Sequence, residues 1–240
     1  MGEPHAGQEQ AAQRHPERAD DVAAEATRLR GSARGGEVVL FCQLCEAFYW
    51  LTPRLAGFHA AHPEIELRLQ SSIRPLTESG GGFDVAIQTA GRPSGTSRLA
   101  FAVDDVVFPV CSPDYLGETT PPLRLEALQE HRLLSHRVAP QDWLDWPDFF
   151  ALAGLPQAVA KNVMAFDSYP LVLQAAIAGQ GIALGWRRTV SGLLADGSLL
   201  RPCRESLDRP REFCVYVSPQ AGNRAETGAL LAWLRRELAS

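Results

Sequence analysis

Short apolar strands alternate with amphipathic helices along this chain, which predicts an α/β protein, and three observations carry the prediction. The stretch Phe166-Asp-Ser-Tyr-Pro-Leu-Val-Leu-Gln-Ala-Ala-Ile-Ala-Gly-Gln-Gly-Ile-Ala-Leu-Gly-Trp186 reads as loop, capped helix, glycine stop and buried strand. The β-branched run Glu37 to Phe41, a helical pattern over 46–61 and the polar-apolar alternation of Glu64 to Ser71 follow in the order β, α, β. That order implies a parallel pair joined by a right-handed crossover. Finally, 240 residues with 45% hydrophobic and 21% charged content suffice to bury one large core or two small lobes.

Each element has a local reason. Glu37-Val-Val-Leu-Phe is rich in β-formers and reads as the first strand. The following helix carries Phe48, Trp50, Leu51, Leu55 and Phe58 at helical spacing, with Pro53 as a local irregularity. His62-Pro63 ends it, because the residue before proline is pushed out of the helical region. Phe83 to Ile87 is a buried strand, and the turn-rich loop Gln88 to Gly95 is the expected first crossing between lobes. Val106 to Cys111, Leu133 to Ser135 and Ile182 to Leu184 supply further strands around intervening helices. Ser168 is placed to cap the helix after it, Pro170 falls in its first turn, and Gly179 and Gly181 end it. Phe213 to Val217 is strand-like, and Glu226 to Leu238 forms a closing helix with Leu230, Leu231 and Leu234 on one side. Before Glu37 lies a polar leader, within which Ala19 to Gly31 has acidic residues early, basic ones late and a glycine stop, the pattern of a short helix.

Composition narrows the function. A formal net charge of -5 from 23 basic and 28 acidic residues argues against direct nucleic-acid binding, which needs clustered Lys and Arg. No apolar run has the length of a bilayer span, and the amino terminus lacks the regions of a secretory signal, so a cytoplasmic protein without membrane contact is expected. Cysteines at 42, 45, 111, 203 and 214 are odd in number and scattered, which favours reduced thiols. Cys42 and Cys45 form a C-x-x-C, but nothing in the sequence completes a four-ligand zinc set. No cofactor or metal is expected. The chain contains no G-x-S-x-G elbow, P-loop or H-E-x-x-H helix, so an enzyme is not expected.

Several ordered pieces carry a resemblance: Thr52-Pro-Arg-Leu with Phe58 and His62-Pro-Glu-Ile-Glu, then Phe83-Asp-Val-Ala-Ile, Val110-Cys-Ser-Pro, Leu173-Gln-Ala-Ala-Ile-Ala-Gly-Gln-Gly-Ile and Leu200-Arg-Pro. Together they resemble the effector-binding domain of LysR-type transcriptional regulators over roughly Gly36 to Leu238. The resemblance implies two Rossmann-like lobes in the periplasmic-binding-protein-like (type 2) arrangement, with an interlobe cleft. It divides the chain into a leader with the remnant of a linker helix over 1–35 and an effector-binding domain over 36–240. Lobe I is expected from 36–88 and 212–240, and lobe II from 89–211. It further implies a small-molecule effector that controls transcription, self-association as a homodimer or higher oligomer, and DNA contact only through an amino-terminal winged helix-turn-helix. No segment before Glu37 offers three amphipathic helices with a basic recognition helix, so DNA binding by these residues is not expected. The alternative function is a stand-alone small-molecule binding or interaction protein without DNA binding.

Candidate ligand-binding residues lie at strand ends and helix starts. Cys45 matches by position the small polar residue with which the family meets its effectors; as a thiol it is a poor donor, and a buried apolar role remains open. Ser71 and Ser72 follow the second strand and either donate to an anion or shape a turn. His136 follows a buried strand, and Asp167 and Ser168 stand at the start of a helix whose positive end favours anionic groups. Capping alone also accounts for Ser168. Trp186 ends the pocket strand, near further aromatics at Phe48, Tyr49, Trp50, Trp143 and Trp146. Converging rings are one means of holding quaternary ammonium groups. Trp186 and the segment Asp142-Trp-Leu-Asp-Trp-Pro-Asp-Phe-Phe are similar to regulators associated with choline sulfate use, which implies that ligand or a relative of it as effector.

Overall fold

The computed structural model describes residues 36–138 and 143–239. The polar leader, its helix over 19–31, the linker remnant and Asp142 lie outside the described residues.

The first unit is β1 (Glu37–Gln43), helix α1 (44–61) and β2 (Glu66–Ser72). β1 and β2 pair in parallel from Glu37↔Glu66 to Gln43↔Ser72, as the β, α, β order requires. Helix α1 starts two residues earlier than its periodicity suggests, at Leu44. It then widens into a π turn over Ala47–Leu51, tightens into a 3₁₀ turn over Thr52–Arg54 and resumes as α over Leu55–Ala61. Pro53 explains the break, because it has no N–H for the carbonyl one turn back. Side chains answer the disturbed carbonyls: Thr52 Oγ1 donates to Ala47 O at 2.6 Å and Arg54 to Trp50 O at 2.8 Å. The wider turn also shifts the helical phase, so that Trp50, Leu51 and Phe58 are buried while Phe48 is 61% exposed. Phe48 is therefore not the core residue its spacing suggested.

β3 (Val85–Thr89) pairs in parallel with β1 on the side away from β2. β4 (Arg98–Val110) and β8 (Leu207–Val217) are long antiparallel partners, and the strand order is β2-β1-β3-β8-β4-β7-β5-β6. Beyond them lie α2 (Pro113–Leu116), β5 (Arg132–His136), α3 (Trp146–Leu152), β6 (Asn162–Phe166), α4 (Tyr169–Ile177), β7 (Ile182–Trp186), α5 (Arg187–Ala195) and the closing helix α6 (Ala225–Ala239).

Two cores flank the long pair. Val38, Leu40, Trp50, Leu51, Phe58, Val85, Ile87, Phe213, Val215, Leu230 and Trp233 form one, against which Phe101 and Val103 of β4 pack. Val107, Phe108, Val110, Leu133, Trp146, Phe149, Val172, Leu173, Ile182 and Trp186 belong to the other. The change of core thus occurs inside β4, at the register shift between Val103 and Asp105, and not in the loop Gln88 to Gly95. The chain returns along β8, whose Leu207 faces the second core and whose Phe213 sits in the first.

The helix α4 ends as its glycines suggest. Gly179 has φ of +71°, and the N–H groups of Gly179 and Gln180 bond back to Ala176 O and Ala175 O at 3.1 and 2.9 Å, the two bonds of a Schellman motif. Gly181 then brings the chain against β5 so closely that a Cβ there would lie 2.5 Å from Arg132 O. We expect Gly181→Ala to destabilise the domain by about 1–3 kcal/mol, because backbone must move to admit one methyl group. Urea midpoints of the two proteins measure this, and an unchanged midpoint would show that the contact relaxes freely.

Candidate functional site

The carboxyl ends of the parallel strands point to one place. β1 ends at Gln43, β2 at Ser72 and β3 at Thr89 in the first lobe, and β5 ends at His136, β6 at Phe166 and β7 at Trp186 in the second. Open α/β sheets hold ligands beyond such ends. Gln43, Cys45, Glu46, Ser72 and Ile73 from the first lobe and His136, Trp143, Tyr169 and Pro170 from the second line a common cavity. A deeper neighbouring cavity is lined by Leu134, His136, Trp146, Tyr169, Leu184 and Trp186. Each has a volume of about 10 Å³, room for roughly one water molecule.

Aromatic rings fill the remaining space. Trp143 stands edge-on to Trp186 at 5.6 Å, Tyr169 edge-on to Trp186 at 5.2 Å, and His136 edge-on to Trp143 at 5.3 Å. Tyr169 is fixed in this group by its hydroxyl, which donates to Leu184 O at 2.9 Å. Burial raises its pKa well above the ordinary phenol value, so it stays a neutral donor. The Asp167 carbonyl can only accept, so its 3.3 Å contact with His136 Nε2 places the proton on that nitrogen. Trp186 Nε1 donates to Glu212 Oε1 at 3.1 Å, tying the ring to β8.

Besides the packing of Cys45 against the second core, two side-chain contacts bridge the lobes. The Arg92 guanidinium, from the loop after β3, lies 5.5 Å from the Trp143 ring centroid and also donates to Ile73 O at 3.0 Å. Gln174 of α4 donates to the Tyr49 hydroxyl of α1 at 2.7 Å.

The polar groups of the first lobe are set by the strand register. Gln43 Oε1 accepts from the Thr89 N–H at 2.7 Å and from its hydroxyl at 3.1 Å, while Gln43 Nε2 is buried without a hydrogen-bond partner. Glu46 is 3% exposed and its Oε2 is likewise unpartnered. Burial pushes the Glu46 carboxyl from 4.5 up to about 7, with Asp105 and Glu212 adding to the rise and its own backbone N–H and Arg92 opposing it.

Of the residues singled out in the sequence, the structure brings Cys45, Ser72, His136 and Trp186 to the two cavities. Ser71 alternates with Ser72 along β2 and is exposed, facing the other side of the sheet. Asp167 is exposed and contributes its carbonyl to His136. Ser168 holds the cap position of α4, but its side chain makes no capping bond, contrary to the expected role. Cys45 packs in the second core and Cys42 in the first, so the C-x-x-C does not present both thiols to one site. Burial raises both thiols well above the ordinary value, which suppresses the reactive thiolate. Gln43, Glu46, Arg92 and Tyr169 were not singled out. In the sequence Glu46 is an ordinary acid in a first helical turn, and only the fold shows it buried.

Two α/β lobes, joined by crossing strands and lined by residues of both at the junction, define an effector-binding domain of the periplasmic-binding-protein-like fold. Residues 31–239 match the LysR substrate binding domain family, and the chain belongs to it. It is 29% identical over 218 residues to the glycine cleavage system transcriptional activator of Escherichia coli K12, covering 90% of this chain and 70% of that protein. It is 32% identical over 186 residues to the transcriptional activator AmpR of Pseudomonas aeruginosa, covering 77% and 59%. The solved effector domain of the P. aeruginosa AmpR aligns with a TM-score of 0.68 at 26% identity, covering 85% of this chain and 95% of that one. The CrgA regulatory domain of Neisseria meningitidis shares the fold, with a TM-score of 0.64 at 20% identity over 85% of this chain and all of that one (100%). Among the described residues no helix is long and apolar enough to cross a membrane.

The raised Glu46 carboxyl has a consequence for stability. Between pH 4.5 and 7 the folded state keeps a proton that the unfolded state has released, so this stabilising contribution is full below 4.5 and is lost as pH rises through 7. The shift corresponds to roughly 3 kcal/mol. Urea unfolding of wild type and Glu46→Gln near pH 5 and pH 8 should show the variant gaining on the wild type at the higher pH. Parallel pH profiles for the two proteins would contradict the assignment.

Proposed function

We propose that this domain senses a small metabolite held between its lobes and that occupancy of the cleft controls transcription. The observation that carries the reading is the composition of the cavity wall, where Gln43, Cys45, Glu46 and Ser72 of one lobe face His136, Trp143 and Tyr169 of the other. With a volume of about 10 Å³, the cavity must enlarge to admit a metabolite, by hinge movement of the lobes. The ring cluster and a buried carboxylate favour a ligand with a cationic end, and choline sulfate, a methylated ammonium joined to an anion, has that form. We propose residues 1–35 as leader and linker remnant, with effector binding confined to residues 36–240.

Calorimetric titration of choline sulfate, choline and glycine betaine tests the ligand class. A cation–π contact in a dry site is worth up to about 2 kcal/mol, so Trp143→Ala or Trp186→Ala should weaken binding by somewhat more than tenfold. Trp143 is only partly buried, which makes its removal the milder change to the fold. Absence of heat with all three compounds in folded protein would remove the quaternary-ammonium reading, and a screen of other metabolites by thermal shift would then test the sensing role itself.

Self-association belongs to the same reading. Exposed Met164 lies on β6, an edge strand of the sheet, and exposed Val159 just before it, and a two-fold contact would cover such apolar surface and strand edge together. Sedimentation velocity should show dimers growing in with concentration; a single monomeric species across a wide range would count against it.

A further inference from the structure

Three carboxylates are buried where the lobes meet: Glu46 on α1, Asp105 on β4 and Glu212 on β8. Two of them are engaged. Asp105 Oδ1 accepts from the N–H groups of Val106 at 2.8 Å and Arg188 at 3.3 Å. Glu212 accepts from Trp186 Nε1 at 3.1 Å and pairs with Arg209 at 3.3 Å. Glu46 is different, because it lines the interlobe cavity and its Oε2 has no hydrogen-bond partner although the residue is only 3% exposed. Buried polar atoms without partners are uncommon in folded proteins, and each one needs a reason.

We infer that Glu46 is the counter-charge for the cationic group of the effector, and that it separates positively charged ligands from uncharged ones of the same shape. This rests on the reading of the cleft as the effector site. The wall beside it suits such a group: Trp143 and Tyr169 line the same cavity, and ring faces attract cations more strongly once water is removed. Arg92, the cationic neighbour that opposes the rise at Glu46, is already committed to Ile73 O and to the Trp143 ring.

The charge must balance on binding. Around Glu46 stand Arg92 from the loop after β3, Asp105 of β4, Glu212 of β8, Cys42 of β1, Cys45 on its own helix and Tyr169 of α4, and His136 of β5 lines the same cavity. Burial keeps both thiols and the phenol neutral, and it holds Glu46 mostly as the uncharged acid below about 7. When a cation enters, the carboxyl O–H bond breaks, the proton passes to the buffer, and the ligand's positive charge takes its place beside the carboxylate. Cation binding below neutral pH is therefore coupled to proton release.

Titration calorimetry of the whole chain near pH 6, in two buffers of different ionisation heat, reads this release directly. The probes are choline, ethanolamine and the uncharged choline analogue in which tert-butyl replaces trimethylammonium. We expect an ammonium probe to bind with release of close to one proton, its affinity falling about tenfold per pH unit well below 7. Glu46→Gln, which keeps the shape, should abolish the release and weaken the cation at least tenfold, while leaving the uncharged analogue as it was. Cation binding without proton release, equal affinity for choline and its uncharged analogue, or no binding of either ammonium probe to folded protein would each overturn the assignment. If ethanolamine meets these expectations and choline does not bind, the counter-charge stands and the quaternary-ammonium reading falls. If choline binds with no proton release and Glu46→Gln leaves its affinity unchanged, the reverse holds. If only anionic or uncharged metabolites bind, the inference falls and the effector site remains.

Discussion

The antiparallel pairing of β4 with β8 is the constraint on which the rest of this domain depends. Both passages of the chain between the cores run along these strands, which stay paired from Arg98↔Val217 through Ala102↔Cys214 to Val107↔Leu207. The ladder is not regular, since the register shifts between Leu99 and Phe101 and again between Val103 and Asp105. Irregularities of this kind bend and twist a strand, and the second falls where the ribbon leaves one core for the other. Arg211, a non-glycine residue at φ of +55°, marks the same place on β8, and its N–H is held by Asp104 Oδ1 at 2.8 Å. The junction is thus built from hydrogen bonds across a two-stranded ribbon.

That geometry decides where polar groups can be buried. Within the lobes, strands packed on both faces carry mainly aliphatic and aromatic side chains, as the fully buried β7 shows, and the buried polar residues of β3, Gln88 and Thr89, are hydrogen-bonded. At the junction the two cores end and the strand ends of both lobes meet, so Asp105, Glu212, Glu46 and Gln43 are buried there together. Asp105 and Glu212 are satisfied by elements that stay with the ribbon: α5 supplies Arg188 and β8 itself supplies Arg209. Glu46 and Gln43 belong to the first lobe and line the cavity that faces the second, and one polar atom of each has no hydrogen-bond partner.

Those parts of the fold that follow from local pattern were legible in the sequence. Glu37 to Ser71 announced a parallel β, α, β unit, and Ser168 to Gly181 announced a helix with its glycine stop, because periodicity and backbone freedom act over a few residues. β6 was missed, since Asn162-Val-Met-Ala-Phe is an edge strand with mostly exposed residues and so carries no apolar run. The start of β8 was missed because Leu207 to Glu212 is mostly charged and reads as polar loop, and the first half of β4 was missed although Leu99 to Val103 is an apolar run. At the site, residue positions were readable but partnerships were not. Ser72 and Ser71 differ only in which face of the sheet they take, and the charged neighbours of the buried Glu46, namely Arg92, Asp105 and Glu212, come from other elements.

The contacts that hold the cleft shut are of modest strength individually. The hydrogen bond from Gln174 to Tyr49 lies in an exposed setting, where a net contribution of about 1 kcal/mol is typical. The stacking of Arg92 on Trp143 is worth about 0.5–2 kcal/mol depending on how much water it loses. Against them stands the cost of the unpartnered Glu46 Oε2 and Gln43 Nε2, roughly 1–3 kcal/mol for each buried polar group. These polar terms are of opposite sign and similar size, and the packing of Cys45 and Tyr49 against the second core adds to the closed form. A ligand shifts such an equilibrium only by the difference in its affinity for the two states. A molecule that gives Glu46 and Gln43 their partners while keeping the rings packed makes that difference entirely in the closed form, where residues of both lobes can touch it at once.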